Sequence, residues 1–528
     1  MAAQLRGSSP SRPAPRPRQA VAVLTLALAL ILAACETGAS GGQGGSTTSL
    51  TIATTYEITD LDPAASGYWA PEFGYGELLM RAHDDGTLEP WLLESLEPVA
   101  PTTWRLTLRE GITFQNGRTL DATALSALLN HHLTTNEDLQ AVVPGGEATP
   151  VSELEVELTT SRPAGTVPAA FAHELMVPVF DLEAAEQAGD DVAAQIAAKY
   201  WTGPFVVTAI TSEDLTMERN PDYWGGTPRL EEVTVRFISD AQARVLAVQS
   251  GEADLALYPD SAAAQVLEGS DEAAFITSEV PHSSVRMILN QEDPVLGEED
   301  VRRAISLAVD YDELAEQVLP VVFDVGTGMY PAHLPFAEQV QRSDLDEAEA
   351  LLDAAGWTRG SGEVRERDGR RLRLSFVVDD QIADLQAMTV ALQGQLKELG
   401  VEVDINEVAD VYEATEGDDW SAVFLMSNVY GADYVGDAQR FLASDGRLNL
   451  GHIDDAELDG LIAQALAETD GVAQADLLRE IQQRVGERMY GVFPAERRSS
   501  VIASAAWRDY VVPMNNLWVD AETAASGS

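Results

Sequence analysis

A single cysteine, Cys35, serves a chain of 528 residues. With no second thiol there is no intrachain disulfide, so packing, hydrogen bonds and charge must hold the fold together. Material for packing is ample: hydrophobic residues make up 45% of the chain and charged residues 23%, the balance of a folded globular protein. One hydrophobic core stops growing at about 250–300 residues. A chain of this length is therefore expected to divide into two or three lobes.

The position of the cysteine carries further information. Arg6, Arg12, Arg16 and Arg18 precede an apolar run from Ala20 to Ala34, the charged and hydrophobic regions of a secretory signal. The run is shorter than the roughly 20 residues a membrane-spanning helix needs. It ends in Leu32-Ala33-Ala34-Cys35, which resembles the lipobox of bacterial lipoproteins. That resemblance implies a signal peptide over residues 1–34, cleavage before Cys35, lipidation of its thiol, and an extracytoplasmic protein anchored to the outer face of the cytoplasmic membrane. Residues 35–48 then form a lipidated cysteine and a flexible tether rich in Gly, Ser and Thr, with a reach of roughly 20 Å. Order is expected from about Ser49.

Charge removes one class of partner. Asp and Glu number 86 against 33 Lys and Arg, a net charge of -53, and Lys199 and Lys397 are the only lysines. Nucleic acid binding needs neutralised phosphates, so a polyanion is a poor partner. The acidic surface reads as solvation in a saline exterior, with steering of cationic ligands as the alternative.

Catalytic motifs are missing. His173-Glu174-Leu175-Met176-Val177 begins like a zinc-protease helix, but Val177 stands where the second His is required. No Gly-x-Ser-x-Gly elbow or P-loop occurs, and the one Cys belongs to the leader. His131-His132 are adjacent and face different ways on a helix. The other five histidines, His83, His173, His282, His333 and His452, show no ligand spacing. Neither an enzyme, nor a cofactor, nor a metal site is expected; a secreted hydrolase is a remote alternative.

Local patterns indicate mixed helix and strand. Trp104, Leu106 and Leu108 alternate with polar residues, and Ile112 with Phe114 reads as a second short strand before an Asn116-Gly117 turn. Leu154, Val156 and Leu158 alternate with glutamates, predicting a strand with one face in water. Leu345, Ala348, Leu351, Leu352 and Ala355 mark a helix starting near Ser343, with Asp346 placed for a capping box and Gly356 as the stop. Leu385 to Leu399 repeats the stripe, Gly400 breaks it, and Val401, Val403 and Ile405 alternate as a strand. Val301 to Ala308 is a further helix, and Asp310 with Glu313 is placed to cap the next one.

Several segments resemble bacterial extracellular solute-binding proteins of family 5, which include dipeptide-, oligopeptide- and nickel-binding proteins of ABC importers. They are LEPWLLESLEPVAPTTWRLTLREGITFQNGRTL at residues 88–120, TGPF at 202–205, ERNPDYWGGTPRLEEV at 218–233, AVQSGEADL at 247–255, LNQEDPVLGEEDVRRAISLAVDYDEL at 289–314, DEAEALLDAAGW at 346–357 and QLKELGVEVDI at 395–405. The resemblance implies an α/β fold: a two-lobed clamp of the periplasmic-binding-protein type (type II, cluster C-like) with an extra subdomain inserted in lobe I. By similarity, lobe I holds residues 49–76, 200–281 and 489–521, the insert 77–199, and lobe II 282–488. The implied partners are a peptide or small-molecule ligand, permease subunits of an importer and the membrane reached through the lipid anchor; a monomer is expected.

Site residues follow from the same resemblance. The family's aromatic-Gly-x-x-aromatic stretch lines the cleft from lobe II, and here it reads Tyr430-Gly431-Ala432-Asp433-Tyr434. Peptide-binding members place an Asp there to pair with the ligand's α-ammonium, which implies that role for Asp433; a solvated loop acid is the alternative. Tyr430 and Tyr434 are expected at the ligand or in the core. Nickel-binding members have a Trp first and no acid at the Asp position, so this departure favours an amine-bearing solute. Tyr68 and Trp69 lie where lobe I approaches the ligand and could stack on it, with core packing as the alternative. No Arg occurs in FAHELMVPVF, residues 171–180, which weakens a metal-chelate reading. Short peptides are the leading ligand, and a nickel chelate, an opine or another amine-bearing solute the second.

Overall fold

The structure, a computed structural model, describes residues 48–360, 362–513 and 519–526. Cys35, the expected signal peptide and nearly all of the expected tether lie outside the described residues. Among those described, the spine is a mixed sheet of twelve strands. Across it run Glu402–Val408, Arg373–Asp379, Ala422–Asn428, Ala273–Leu289, Ala495–Ser504, Leu255–Leu257, Ser49–Thr54, Glu232–Phe237, Asp214–Arg219 and Phe205–Ile210, with Phe323–Val325 and Gly491–Val492 pairing alongside.

Two of these strands connect different hydrophobic cores. In Ala273–Leu289, Ala273 packs with Ala53, Val248, Ala256 and Ile502, whereas Val285, Met287 and Leu289 pack with Val301, Leu352, Phe376, Leu392 and Phe424. In the antiparallel Ala495–Ser504, Ala495 belongs to the second of these cores and Ile502 to the first. Each strand therefore starts in one core and finishes in the other. Between the ends, the register slips from Thr277 to Pro281 and again from Pro281 to Ser283. Pro281 has no N–H to donate, and such bulges bend a ladder. Two cores joined by shared strands make the frame of a two-lobed α/β clamp.

The second core is an α/β unit built as the periodicity predicts. Helix Ala383–Leu399 buries Leu385, Met388, Leu392, Leu396 and Leu399. Gly400, at φ +87°, ends it. The chain then returns as Glu402–Val408, parallel to Arg373–Asp379. Helix Leu345–Ala354 begins one residue later than expected: Asp344, not Ser343, accepts from the Glu347 amide, because the Ser343 hydroxyl is turned away to the Val309 carbonyl. Asp310 accepts from the Glu313 amide as its spacing indicates.

A separate antiparallel sheet orders Leu93–Ala100, Thr103–Leu108, Glu155–Thr159 and Glu147–Pro150. Val156 and Leu158 are fully buried on it. The second strand expected at Ile112 and Phe114 does not form. A left-handed Gly111 precedes them and only Thr113 bridges Thr119 around the Asn116-Gly117 turn, so Thr103–Leu108 takes its partners from Leu93–Ala100 and Glu155–Thr159 instead. Glu77, which bridges Val179, is tied to the loop after Asp214–Arg219: its buried carboxyl accepts from the Tyr223 hydroxyl at 2.6 Å and the Trp224 indole at 3.0 Å. The Asp-Tyr-Trp-Gly-Gly run of residues 222–226 is thereby accounted for structurally. Residues of the turn and helices after Asn428, among them Val429, Tyr434, Leu458 and Ile481, share one continuous core with Leu129, Phe171 and Phe180.

Candidate functional site

The place where the two long strands pass between cores is where polar groups collect. Arg497 lies on Ala495–Ser504 opposite Ser283 on one side and Phe323 on the other. One residue before Ser283, the His282 ring joins Ser499 Oγ to Nδ1 at 3.1 Å and Asn428 Oδ1 to Nε2 at 3.2 Å. Burial first, and then the charge of Arg497, push His282 down to about 3, so the ring is neutral. The hydroxyls of Ser283, Ser284 and Ser500 are buried with no hydrogen-bond partner among the described residues.

Aromatic side chains gather near this strip, where Tyr56 and Tyr258 act on Arg497. Tyr56 follows strand Ser49–Thr54 and is half exposed. Its ring lies 5.4 Å from Trp69 and 5.2 Å from Tyr258, the latter edge-on. Tyr68 is half-buried and stacks at 4.1 Å on Trp69, which in turn meets Phe73 at 5.6 Å. Trp69 starts the short helix Trp69–Phe73 and is 5% exposed. The structure thus brings the expected Tyr68 and Trp69 together, and adds Tyr56 and Tyr258. Two acids lie close by: Asp379, within reach of Tyr56, ends strand Arg373–Asp379, and Asp384, within reach of Arg497, opens helix Ala383–Leu399. Asp384 accepts from the Ser261 hydroxyl at 2.7 Å, a contact between elements of different cores.

The turn at residues 430–434 sits in a different environment. The side chain of Tyr430 lies outside the described residues. Gly431 has φ +58°, and a Cβ there would stand 2.6 Å from the Ala172 carbonyl carbon and 2.7 Å from His173 Cα. Asp433 is buried, caps helix Tyr434–Leu442 by accepting from the Gly436 amide at 3.0 Å, and pairs with Arg440 at 3.1 Å. Burial, opposed by Arg440, pushes its carboxyl up to about 6. Tyr434 is packed edge-on against Tyr330 and Phe336, at 5.1 and 4.8 Å. One turn on, Asp437 pairs with Arg286 at 2.6 Å and accepts from the Tyr330 hydroxyl at 3.1 Å.

Sequence reasoning missed Arg497, His282, Tyr56 and Tyr258. The one local signal was Glu496-Arg497-Arg498 inside an otherwise apolar or small-residue strand; the meeting of His282 with Ser499 depends on pairing 217 positions apart. Elsewhere, a groove of about 580 Å³ is bordered by Asp62, His131, Glu137, Asp138, Glu186 and Arg447 and contains none of the expected site residues. Within it, His132 is tied to the Pro178 carbonyl at 3.0 Å and pushed down to about 4 by burial. Among the described residues no group of three or more His, Cys, Asp or Glu could hold a metal ion, and no helix is long and apolar enough to cross a membrane.

Comparison with known proteins agrees with this architecture. The model of "Bacterial extracellular solute-binding proteins, family 5 Middle" matches residues 87–446, more than half of the chain. The nickel-binding periplasmic protein of Escherichia coli K12 is 27% identical over 438 residues, covering 78% of this chain and 81% of the relative. The crystal structure of NikA from Staphylococcus aureus in complex with Ni(L-His)2 superposes with a TM-score of 0.75 at 20% identity, covering 91% of this chain and all of that one. The oligopeptide-binding protein AppA of Bacillus subtilis, in complex with a nonapeptide, does so with a TM-score of 0.70 at 17% identity, covering 90% of this chain and 99% of that one. Strands shared by two cores, a separate antiparallel sheet and a match over most of the length have one common explanation: the chain belongs to the bacterial extracellular solute-binding proteins of family 5.

Proposed function

We propose that this protein captures short peptides between its two lobes and delivers them to the permease of an ABC importer, working as a monomeric lipoprotein held at the membrane by Cys35. The observation that carries the reading is the pair of strands with one end in each core, with hydrogen-bonding groups exposed to each other where the cores part. Two rigid bodies joined by such strands can hinge, and a ligand touching both shifts the balance toward closure. Lobe I comprises residues 49–76, 200–281 and 489–521, the insert 77–199, and lobe II 282–488. The ligand meets Tyr68 and Trp69 from lobe I and the turn at residues 430–434 from lobe II, where Asp433 pairs with its ammonium and Tyr430 and Tyr434 border it. No chemical step is assigned to the protein.

A nickel chelate is the second reading, favoured by the relatives whose names and titles carry nickel. Thermal unfolding of the purified body separates the two. Ligand at 100 times its dissociation constant adds about 2.7 kcal/mol, so a di- and tripeptide mixture is expected to raise the midpoint. A rise with nickel and histidine alone overturns the peptide reading.

A further inference from the structure

Arg497 is used by neither reading, and it differs from the other buried arginines. Arg244 donates to the carbonyls of Ile238, Ser239, Leu257 and Tyr258. Arg302 donates to those of Leu296, Gly297, Arg488 and Met489. Arg365 reaches the carbonyls of Trp357 and Leu399 as well as the Asp353 carboxylate. Each of these staples backbone. Arg286 also leaves Nε and Nη1 without a partner, but its Nη2 pairs with Asp437 at 2.6 Å; Arg497, by contrast, is 8% exposed, and among the described residues its Nε has no hydrogen-bond partner and its guanidinium no paired carboxylate. Burial disfavours its charge, and among the described residues support comes only across a distance, from Asp384, Tyr258 and Tyr56.

A guanidinium cannot discharge, and it carries five donors in a planar fork. Buried without a partner, it destabilises a fold. The residues around it do not relieve that: His282 is held neutral, Asp384 is engaged by Ser261, and the Ser283 hydroxyl opposite has no partner of its own. A cation kept open at the point where two lobes separate, beside aromatic walls, matches what a planar anion requires. Two parallel N–H groups take the two oxygens of a carboxylate, and a neighbouring serine hydroxyl adds a third donor.

We propose that Arg497 is the anion-binding group of the cleft and receives a carboxylate of the captured solute. This rests on the cleft-capture reading above and narrows its ligand to solutes with an acidic group, such as a peptide's free C-terminus.

The test uses the full body stripped of copurifying solute by dialysis in denaturant and refolding. Probes are di- and tripeptides with a free C-terminus, the same peptides as C-terminal amides, succinate, and nickel with histidine, titrated calorimetrically into the natural protein, R497Q and R497K. The natural protein is expected to bind free-acid peptides at least tenfold tighter than the amides. R497Q is expected to lose that preference while its ligand-free unfolding midpoint stays equal or rises, since an uncompensated charge has been removed. R497K keeps the charge without the fork and is expected to fall between; should the Gln variant not fold, the Lys variant carries the comparison. Free-acid binding undiminished in R497Q overturns the proposal, as does a preference retained by a variant that merely unfolds several degrees earlier. Arg497-dependent binding of succinate or the nickel complex, with peptides inert, upholds Arg497 and overturns the peptide reading. If no acidic probe binds the natural protein and the copurifying solute has no acidic group, Arg497 is not an anion receptor although solute capture stands.

Discussion

Ser261 gives both its hydroxyl and its amide to one oxygen of Asp384, at 2.7 and 3.3 Å. Ser261 precedes the short helix whose Ala263 packs in one core, and Asp384 opens the helix whose Leu385 packs in the other. The pair therefore ties the elements of one core to those of the other. A hydrogen bond to a charged group is worth about 1.5–3 kcal/mol, of which Ser261→Ala removes the hydroxyl's part. Ligand affinity is expected to fall about three- to tenfold, with little change in the ligand-free unfolding midpoint. Small-angle scattering of the liganded variant should show a larger radius than the parent; equal affinity and radius would mean that the contact takes no part in closure.

Glu77 should make stability depend on pH in the direction opposite to that of most carboxylates. Burial, opposed by the Tyr223 and Trp224 hydrogen bonds, pushes its carboxyl from 4.5 up to about 7. Between these values the folded chain binds a proton that the unfolded chain does not. The contribution is complete below about pH 4.5 and is lost as pH rises through about 7, amounting to roughly 3 kcal/mol. Glu77→Gln keeps an acceptor for both donors and cannot ionise. Urea unfolding at pH 5 and pH 8 should show the variant gaining on the parent at the higher pH; parallel behaviour at both pH values would show that Glu77 does not titrate there.

How much of this could be read along the chain depends on the range of the interactions. The Leu385 to Leu399 stripe, its Gly400 stop and the returning strand are local, and they fold as their spacing predicts. The Val156 and Leu158 face is equally local. Ile112 and Phe114 misled because two apolar positions carry no period; the bridge from Thr113 to Thr119 is all the pairing they obtain. Tyr68 and Trp69 were visible as adjacent aromatics before a short helix. Arg497 was not, since its neighbours Ser283 and Phe323 come from strands far away along the chain, and a charged residue in a strand looks the same whether it faces water or a cleft.

Gly431 separates two sources of strain. Its φ of +58° disfavours any side chain, and the backbone of Ala172 and His173 leaves no room for one. Gly251 has φ +76° with open space around the would-be Cβ. Gly251→Ala should therefore cost only the left-handed conformation, about 1 kcal/mol. Gly431→Ala adds the clash and should cost about 1–3 kcal/mol more, and it should loosen the contact between the turn and residues 172–173. Chemical denaturation of the two variants side by side measures the difference; equal losses would show that this contact gives way freely.

Asp433 serves a helix and, in the proposed function, a ligand, and two substitutions tell these roles apart. Asp433→Ala removes the acceptor of the Gly436 amide and leaves the mostly buried Arg440 without its carboxylate. The loss should be about 3–5 kcal/mol, because an unpaired buried charge dominates. Asp433→Asn keeps the cap while it, too, takes the carboxylate from Arg440, so its peptide affinities are read as the ratio of free to acetylated forms. If the carboxylate meets an ammonium, that ratio should fall at least tenfold in the Asn variant. The parent's preference for the free amine should strengthen from pH 5 to pH 7, as a carboxyl pushed up to about 6 ionises. If the ratio of free to acetylated binding is the same in parent and Asn variant, Asp433 acts through the helix it caps, and the ammonium must find its partner elsewhere in the cleft.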